Sequence, residues 1–233
     1  MINNASRMFE NWKSLQTLDL STFNMSETIS LFAMFGDCRN LRTLNISNFN
    51  TSKVEQFDRM FYKCINLSSV DVSGFDMSSA ESTGEMFYEC HSLGDIDTHK
   101  WKSSNMRQMD GMFHGCRNIT SLDISGIDLS KVVNVQGMFC SCNSLQNIKF
   151  SDTKTAPLVS WGIEGLFSEC SKLKHADMSH YDTSNVTNMQ LMFLRCYDLE
   201  SIDFGDMNTS NVTNMLWMFN GIRRTSRQTR RQC

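Results

Sequence analysis

The chain has 233 residues, 22 Lys and Arg against 25 Asp and Glu, nine cysteines and a formal net charge of −3. It contains no run of eighteen apolar residues that could cross a bilayer as a helix. Five of the basic residues sit in the last eleven, so the rest carries −8, a balance that argues against a nucleic-acid groove.

From the amino terminus, residues 1–9 read MINNASRMF, without the charged and apolar regions of a secretory signal. The dipeptide that closes this stretch then recurs at residues 34–35, 60–61, 86–87, 112–113 and 138–139, as Leu166-Phe167, and at 192–193 and 218–219. The step is 26 residues each time but one. A fixed period of this length means one supersecondary unit copied about nine times and stacked, an architecture that builds long surfaces more readily than a single reactive pocket.

Aligned on Met-Phe, the unit reads M-F-x-x-C-x-x-L-x-x-L-D-L-S-x-F-D-T-S-x-V-x-x-M-x-x. The apolar trio is Leu41, Leu44 and Ile46 in one copy, Leu67, Val70 and Val72 in the next, and Ile119, Leu122 and Ile124 further on. Alternation and β-branching there predict one short parallel strand per copy, within the L-x-x-L-x-L core of a leucine-rich repeat. In the other half, Val54, Phe57, Met60, Phe61 and Cys64 are spaced by three and four, which predicts a short helix with one buried stripe. Ser52, Ser78, Ser104, Ser130, Ser184 and Ser210 stand where they would cap it. The expected fold class is therefore an α/β repeat solenoid over residues 1–222, each coil a strand plus a short helix.

Stacking turns each alignment column into a ladder at the ~4.8 Å strand spacing. The Phe column and the Met column before it read as core. A second aromatic column runs through Phe23, Phe49, Phe75, Trp101 and Tyr181. Cysteines recur at 38, 64, 90, 116, 142, 170 and 196, with Trp12 and Ile222 in the terminal copies. Their odd number and the lack of a C-x-x-C pair favour buried, reduced thiols over a metal or disulfide array. No cofactor or metal is expected, and with no G-x-S-x-G, H-E-x-x-H or phosphate loop the chain reads as non-catalytic.

One column carries charge. Asp19, Asn45, Asp71, Asp97, Asp123, Lys149, Asp177 and Asp203 lie between inward-facing strand positions and should line the exposed face of the sheet. Like charges at ~5 Å repel by about 1 kcal/mol even in water-like surroundings, so hydrogen bonds, cations or a basic partner must relieve them. Asp19, Asp71, Asp97, Asp123, Asp177 and Asp203 are thus candidate partner-binding residues. Further along, residues 150–166 hold the single two-residue insertion and the only proline, Pro157; Trp161 in this stretch is a second candidate contact. Residues 223–233, RRTSRQTRRQC, break the pattern and predict a basic, disordered tail.

The stretches YDTSNVTNMQLMFLRC and LDISGIDLSKVVNVQGMFCSC resemble the 26-residue repeats of BspA-like leucine-rich repeat surface proteins. That resemblance implies a parallel leucine-rich solenoid displayed on a cell surface or secreted, adhering to host matrix or other cells, with no catalytic residues to carry over. Its partners would be proteins. A stalk that displays another domain, or a cytoplasmic interaction module, are the alternatives. Uncapped coils at both ends predict end-to-end self-association.

Overall fold

The computed structural model describes residues 2–223; apart from Arg223, the expected basic tail lies outside the described residues. Strands appear where the apolar trio predicts them: β1 (Thr17–Asp19), β2 (Thr43–Asn45), β3 (Ser121–Asp123), β4 (Asn147–Lys149), β5 (His175–Asp177) and β6 (Ser201–Asp203). They pair in parallel and in register as β1–β2, β3–β4 and β5–β6, so that Leu18 lies beside Leu44, Leu122 beside Ile148 and Ala176 beside Ile202. Each strand points its middle residue inward and its first and third residues outward, the period-two alternation of a half-buried strand. Coils three and four keep the same inward residues, Val70 and Ile96, without strand pairing.

The expected helix in each coil is not present among the described residues. In coil three the amides of Met60, Tyr62 and Cys64 bond to carbonyls three residues back. The alternate amides of Phe57, Arg59, Phe61 and Lys63 instead reach carbonyls of the next coil at 2.7–3.0 Å. A helix needs every amide for its own i→i−4 ladder, and here half are committed across coils. Arg59 and Lys63 both have φ of 57°, and each is the third residue of one of these turns, as a type II turn requires. Three consecutive turns repeat the apolar spacing of a helix, which is why the sequence pattern points to one. The serines also act otherwise than as caps: Ser52, Ser78, Ser130, Ser184 and Ser210 donate their amides to the Oδ1 of Asn50, Asp76, Asp128, Asp182 and Asn208. Extended backbone before the turns adds a second parallel column of bridges, Asn4–Ser30–Gln56–Ser82–Gln108–Asn134.

The core is the Phe column. Nine rings stack from Phe9 to Phe219 with centroids 5.1–6.2 Å apart and planes within 12° of parallel. This is offset stacking, in the range where aromatic pairs attract beyond their buried area. Met34, Met60, Met86, Met112 and Met192 are fully buried beside it, and the second aromatic column contributes Phe49, Phe75, Trp101 and Tyr181. Trp101 donates its indole N–H to the Val72 carbonyl at 2.9 Å, so a large polar-tipped ring fits that column without an orphaned donor.

The cysteine column has a role that spacing alone does not reveal. Cys38, Cys64, Cys90, Cys116, Cys142, Cys170 and Cys196 each donate Sγ–H to the carbonyl of the phenylalanine one coil earlier, at 3.0–3.2 Å. Trp12 has no preceding Phe carbonyl among the described coils, and it packs edge-on to Phe9 instead, at 5.2 Å. Burial pushes these thiols well above their usual range, to about 11 for Cys38 and about 12 for Cys196, so the nucleophilic thiolate is suppressed. A disulfide-exchange reagent applied to the native protein is expected to label the half-exposed Cys140 and none of these seven, which should react only after denaturation. Rapid native labelling at Cys90 or Cys116, read by mass spectrometry of peptides, would contradict the buried column.

Candidate functional site

The outward face of the strand column is the site that the sequence singles out, and it rests on short polar turns. Each carboxylate closes the turn that follows its strand. Asp19 Oδ1 accepts from the Ser21 amide at 2.8 Å, Asp71 from Ser73 at 3.0 Å, Asp123 from Ser125 at 3.0 Å, Asp177 from Ser179 at 2.8 Å and Asp203 from Gly205 at 2.9 Å. Asp97 does the same with His99, whose ring also contacts it. Asp and Asn favour this two-residue reach because the side chain mimics a backbone carbonyl. Asn45 makes the equivalent bond to Ser47 at 3.2 Å, so the turn does not require charge.

At five of these positions, Asp19, Asp71, Asp97, Asp123 and Asp177, such bonds favour the ionised form. The Ser21 amide bond keeps the Asp19 carboxyl below its ordinary value, and the Ser73 hydroxyl does so for Asp71. Hydrogen bonds from Ser125, with the Lys149 ammonium behind them, take Asp123 down to about 2. At Asp177 partial burial works upward, and the Ser179 bonds and the His180 ring outweigh it. Neutral or basic residues also break up the like charges. Asn45 separates Asp19 from Asp71, and Lys149 separates Asp123 from Asp177 while donating to Asp123 Oδ2 at 3.0 Å. The result is one single carboxylate, a run of three and a pair.

The structure thus brings Asp71, Asp97 and Asp123 onto successive coils and sets Asp177 beside Asp203 in register. Trp161 does not join them. It is 64% exposed in the turns leading to Leu166-Phe167, outside the strand column.

Two further residues of the strand segments have special surroundings. Asp95 accepts from the amides and hydroxyls of both Thr120 and Ser121, at 2.6–3.2 Å. In other coils a backbone carbonyl takes those amides, as Gln16 does for Arg42 and Thr43. Partial burial works to raise the Asp95 pKa, and these four bonds outweigh it and leave it lowered. Ala176 is the other, a small residue at the inward centre of its strand. Its signal is visible in the alignment, where every other coil has Leu, Ile or Val.

A family described as "Mycoplasma protein of unknown function, DUF285" matches residues 3–121, 70–161 and 159–230, together nearly the whole chain. The chain belongs to this family. No curated protein matches this DUF285 chain. Among solved structures it is similar to a leucine-rich repeat protein of T. pallidum, at 19% identity and a TM-score of 0.49, covering 72% of this chain and 69% of that one. It is also similar to a leucine-rich cell surface protein of Faecalibacterium prausnitzii, at 18% identity and a TM-score of 0.41, covering 86% and 62%. The fold assignment rests on the coil geometry rather than on these matches. Among the described residues no helix is long and apolar enough to cross a membrane, and no three His, Cys, Asp or Glu side chains are placed to share a metal ion.

Proposed function

We propose that this solenoid is a non-catalytic protein-recognition module whose contact surface is the outward, acidic face of the strand column. The observation that carries this reading is the set of outward carboxylates at Asp19, Asp71, Asp97, Asp123, Asp177 and Asp203, each fixed in place by a bond to its own turn. A rigid row of like charge at coil spacing favours a basic, extended partner and speeds its encounter. Display on a cell surface, with adhesion to host or neighbouring-cell proteins, is the setting the repeat resemblance supports. A stalk carrying another domain and a cytoplasmic interaction module are the other settings. Trp161 belongs to the proposal as a secondary contact. So does end-to-end association, for which the exposed Leu216, Trp217 and Phe219 of the ninth coil are the supporting feature.

The test is to replace Asp71, Asp97 and Asp123 together by asparagine. Asn45 already closes the same turn, so the fold should survive and the melting temperature should stay close to that of the parent. Binding of an oligolysine peptide at low salt is expected to weaken, and the parent's binding should itself fade as salt shortens the Debye length. Unchanged peptide affinity in the triple variant would remove the acidic face as the contact surface.

A further inference from the structure

At the inward centre of its strand segment, coil after coil carries a bulky aliphatic residue: Leu18, Leu44, Val70, Ile96, Leu122, Ile148 and, in coil eight, Ile202. Coil seven has Ala176. The two-residue insertion falls between the same two coils: positions 148 and 176 are 28 apart, whereas 122 and 148, and 176 and 202, are 26 apart. β4 and β5 are not hydrogen-bonded to each other, although each pairs with its other neighbour. Strand pairing is also absent between coils two and five, but here it coincides with missing side-chain bulk and the insertion, and a cleft of about 270 Å³ opens on the outer face.

The chemistry of its lining is mixed in an ordered way. Phe167, a member of the stacked column, lies at the floor with Ile148 and Ala176, and Phe150 forms a wall. Phe150 is braced edge-on by Phe139 at 6.4 Å and face-on by His180 at 4.9 Å. The rim carries Asp177 and Asp203, adjacent in register. Lys149, the nearest lysine or arginine along the column, is turned to Asp123. His180 Nε2 lies 3.1 Å from Asp177 Oδ2, whereas no side chain among the described residues bonds the second oxygen of Asp203, which is the open acceptor at the rim. Leucine occupies the Ala176 position in three other coils, so filling the space is open to this fold, and the chain nevertheless leaves it empty. An apolar cleft with a few converging polar groups is the usual form of a binding pocket.

We propose that this cleft takes one aromatic side chain of a polypeptide partner, its ring against Phe167 and Phe150, with an adjoining cationic group held by Asp203 and drawn by the charge of Asp177 beside it. This deepens the acidic-face reading and rests on it, since the cleft supplies an apolar anchor point on a face otherwise made of polar turns. Anchors of this kind, an aromatic ring in a desolvated pocket, dominate many interfaces.

Phenethylamine carries the ring and the cation in one small probe, and phenylacetate carries the same ring with the opposite charge. In a methyl-detected NMR titration, phenethylamine is expected to shift the Ala176 and Ile148 methyl resonances and to bind more tightly than phenylacetate. Ala176→Leu should leave the melting temperature equal or higher and weaken phenethylamine by about tenfold or more. Asp177→Asn with Asp203→Asn should bring the two probes to similar affinity. Absence of any shift in the parent, equal shifts in Ala176→Leu, or equal affinity of the two probes for the parent would each overturn the proposal. Oligolysine, which has no ring, separates the two readings. If it loses affinity for the Asp71, Asp97 and Asp123 variant while phenethylamine leaves the cleft residues unmoved, the acidic face stands and the cleft falls. If oligolysine is unaffected and phenethylamine binds, the reverse holds.

Discussion

Replacing Phe113 by alanine is expected to lower the unfolding free energy by about 3–5 kcal/mol, the range for truncating a large buried aromatic residue. The ring is fully buried and stacks on Phe87 at 5.7 Å on one side and Phe139 at 6.2 Å on the other. Its removal therefore opens a gap that two coils share. The rings on either side are themselves stacked further along the column, so they cannot collapse into the space without breaking their own contacts. The backbone would gain nothing in return, because the Phe113 amide and carbonyl already serve Met138 and Cys142. Arg107→Ala in the same coil is the control. Its side chain is exposed, and surface changes of this kind stay within about 0.5 kcal/mol. Chemical denaturation of the two variants beside the parent decides the matter. Comparable losses would mean that the Phe column is not the structural spine.

The second large effect is expected at Gly126. A methyl group added there would stand 2.2 Å from the Trp101 carbonyl oxygen and 3.1 Å from that of His99. Both obstacles are backbone, and the Trp101 segment is held by its buried indole, so neither can move aside cheaply. Gly126→Ala is predicted to cost about 3 kcal/mol or more, at the upper end of overpacking penalties. Gly74 occupies the same column two coils earlier, and a methyl group there would meet nothing within 4 Å. Gly74→Ala should therefore be neutral, or stabilising by about 0.4–1 kcal/mol through the unfolded chain. Thermal melts of this pair isolate the contact from any general effect of glycine replacement. Similar midpoints for the two variants would refute the close approach of coils four and five.

Much of this architecture can be read from period alone. The 26-residue step fixes which residues stack, and the strand alternation places Asp71 and Asp123 outward while Val70 and Leu122 go in. Apolar spacing points to a helix because it reports which side chains are buried and not which amide bonds which carbonyl. The backbone signal that could have corrected it lies in the residues before Met and after Phe. Gly111, Gly137 and Gly165 stand in one column and Gly115 and Gly221 in the other, all with positive φ. Glycine at those places marks a left-handed residue, which an α-helix interior does not use. The thiol-to-carbonyl bonds were out of reach for a different reason: they join residues 29 or 31 positions apart, and only the stacked geometry brings Cys116 to Phe87 or Cys170 to Phe139. The cleft at Ala176 needed both a residue choice and a broken strand pairing, and only the first is visible in the sequence.

That broken pairing also bears on how the solenoid comes apart. A chain of coils in which each touches only its neighbours behaves as a one-dimensional cooperative array, its stability a sum over coils and the interfaces between them. Between coils six and seven the Phe rings still stack at 5.4 Å and Cys170 still reaches the Phe139 carbonyl, but the strand ladder is absent. Coupling there is weakened without being lost. A boundary between ordered and melted coils would rest at this junction at less cost than at the strand-paired junctions on either side. The junctions from coil two to coil five lack the strand ladder as well, so the array falls into strand-paired segments joined by weaker junctions, of which the one beside the cleft is the last along the chain.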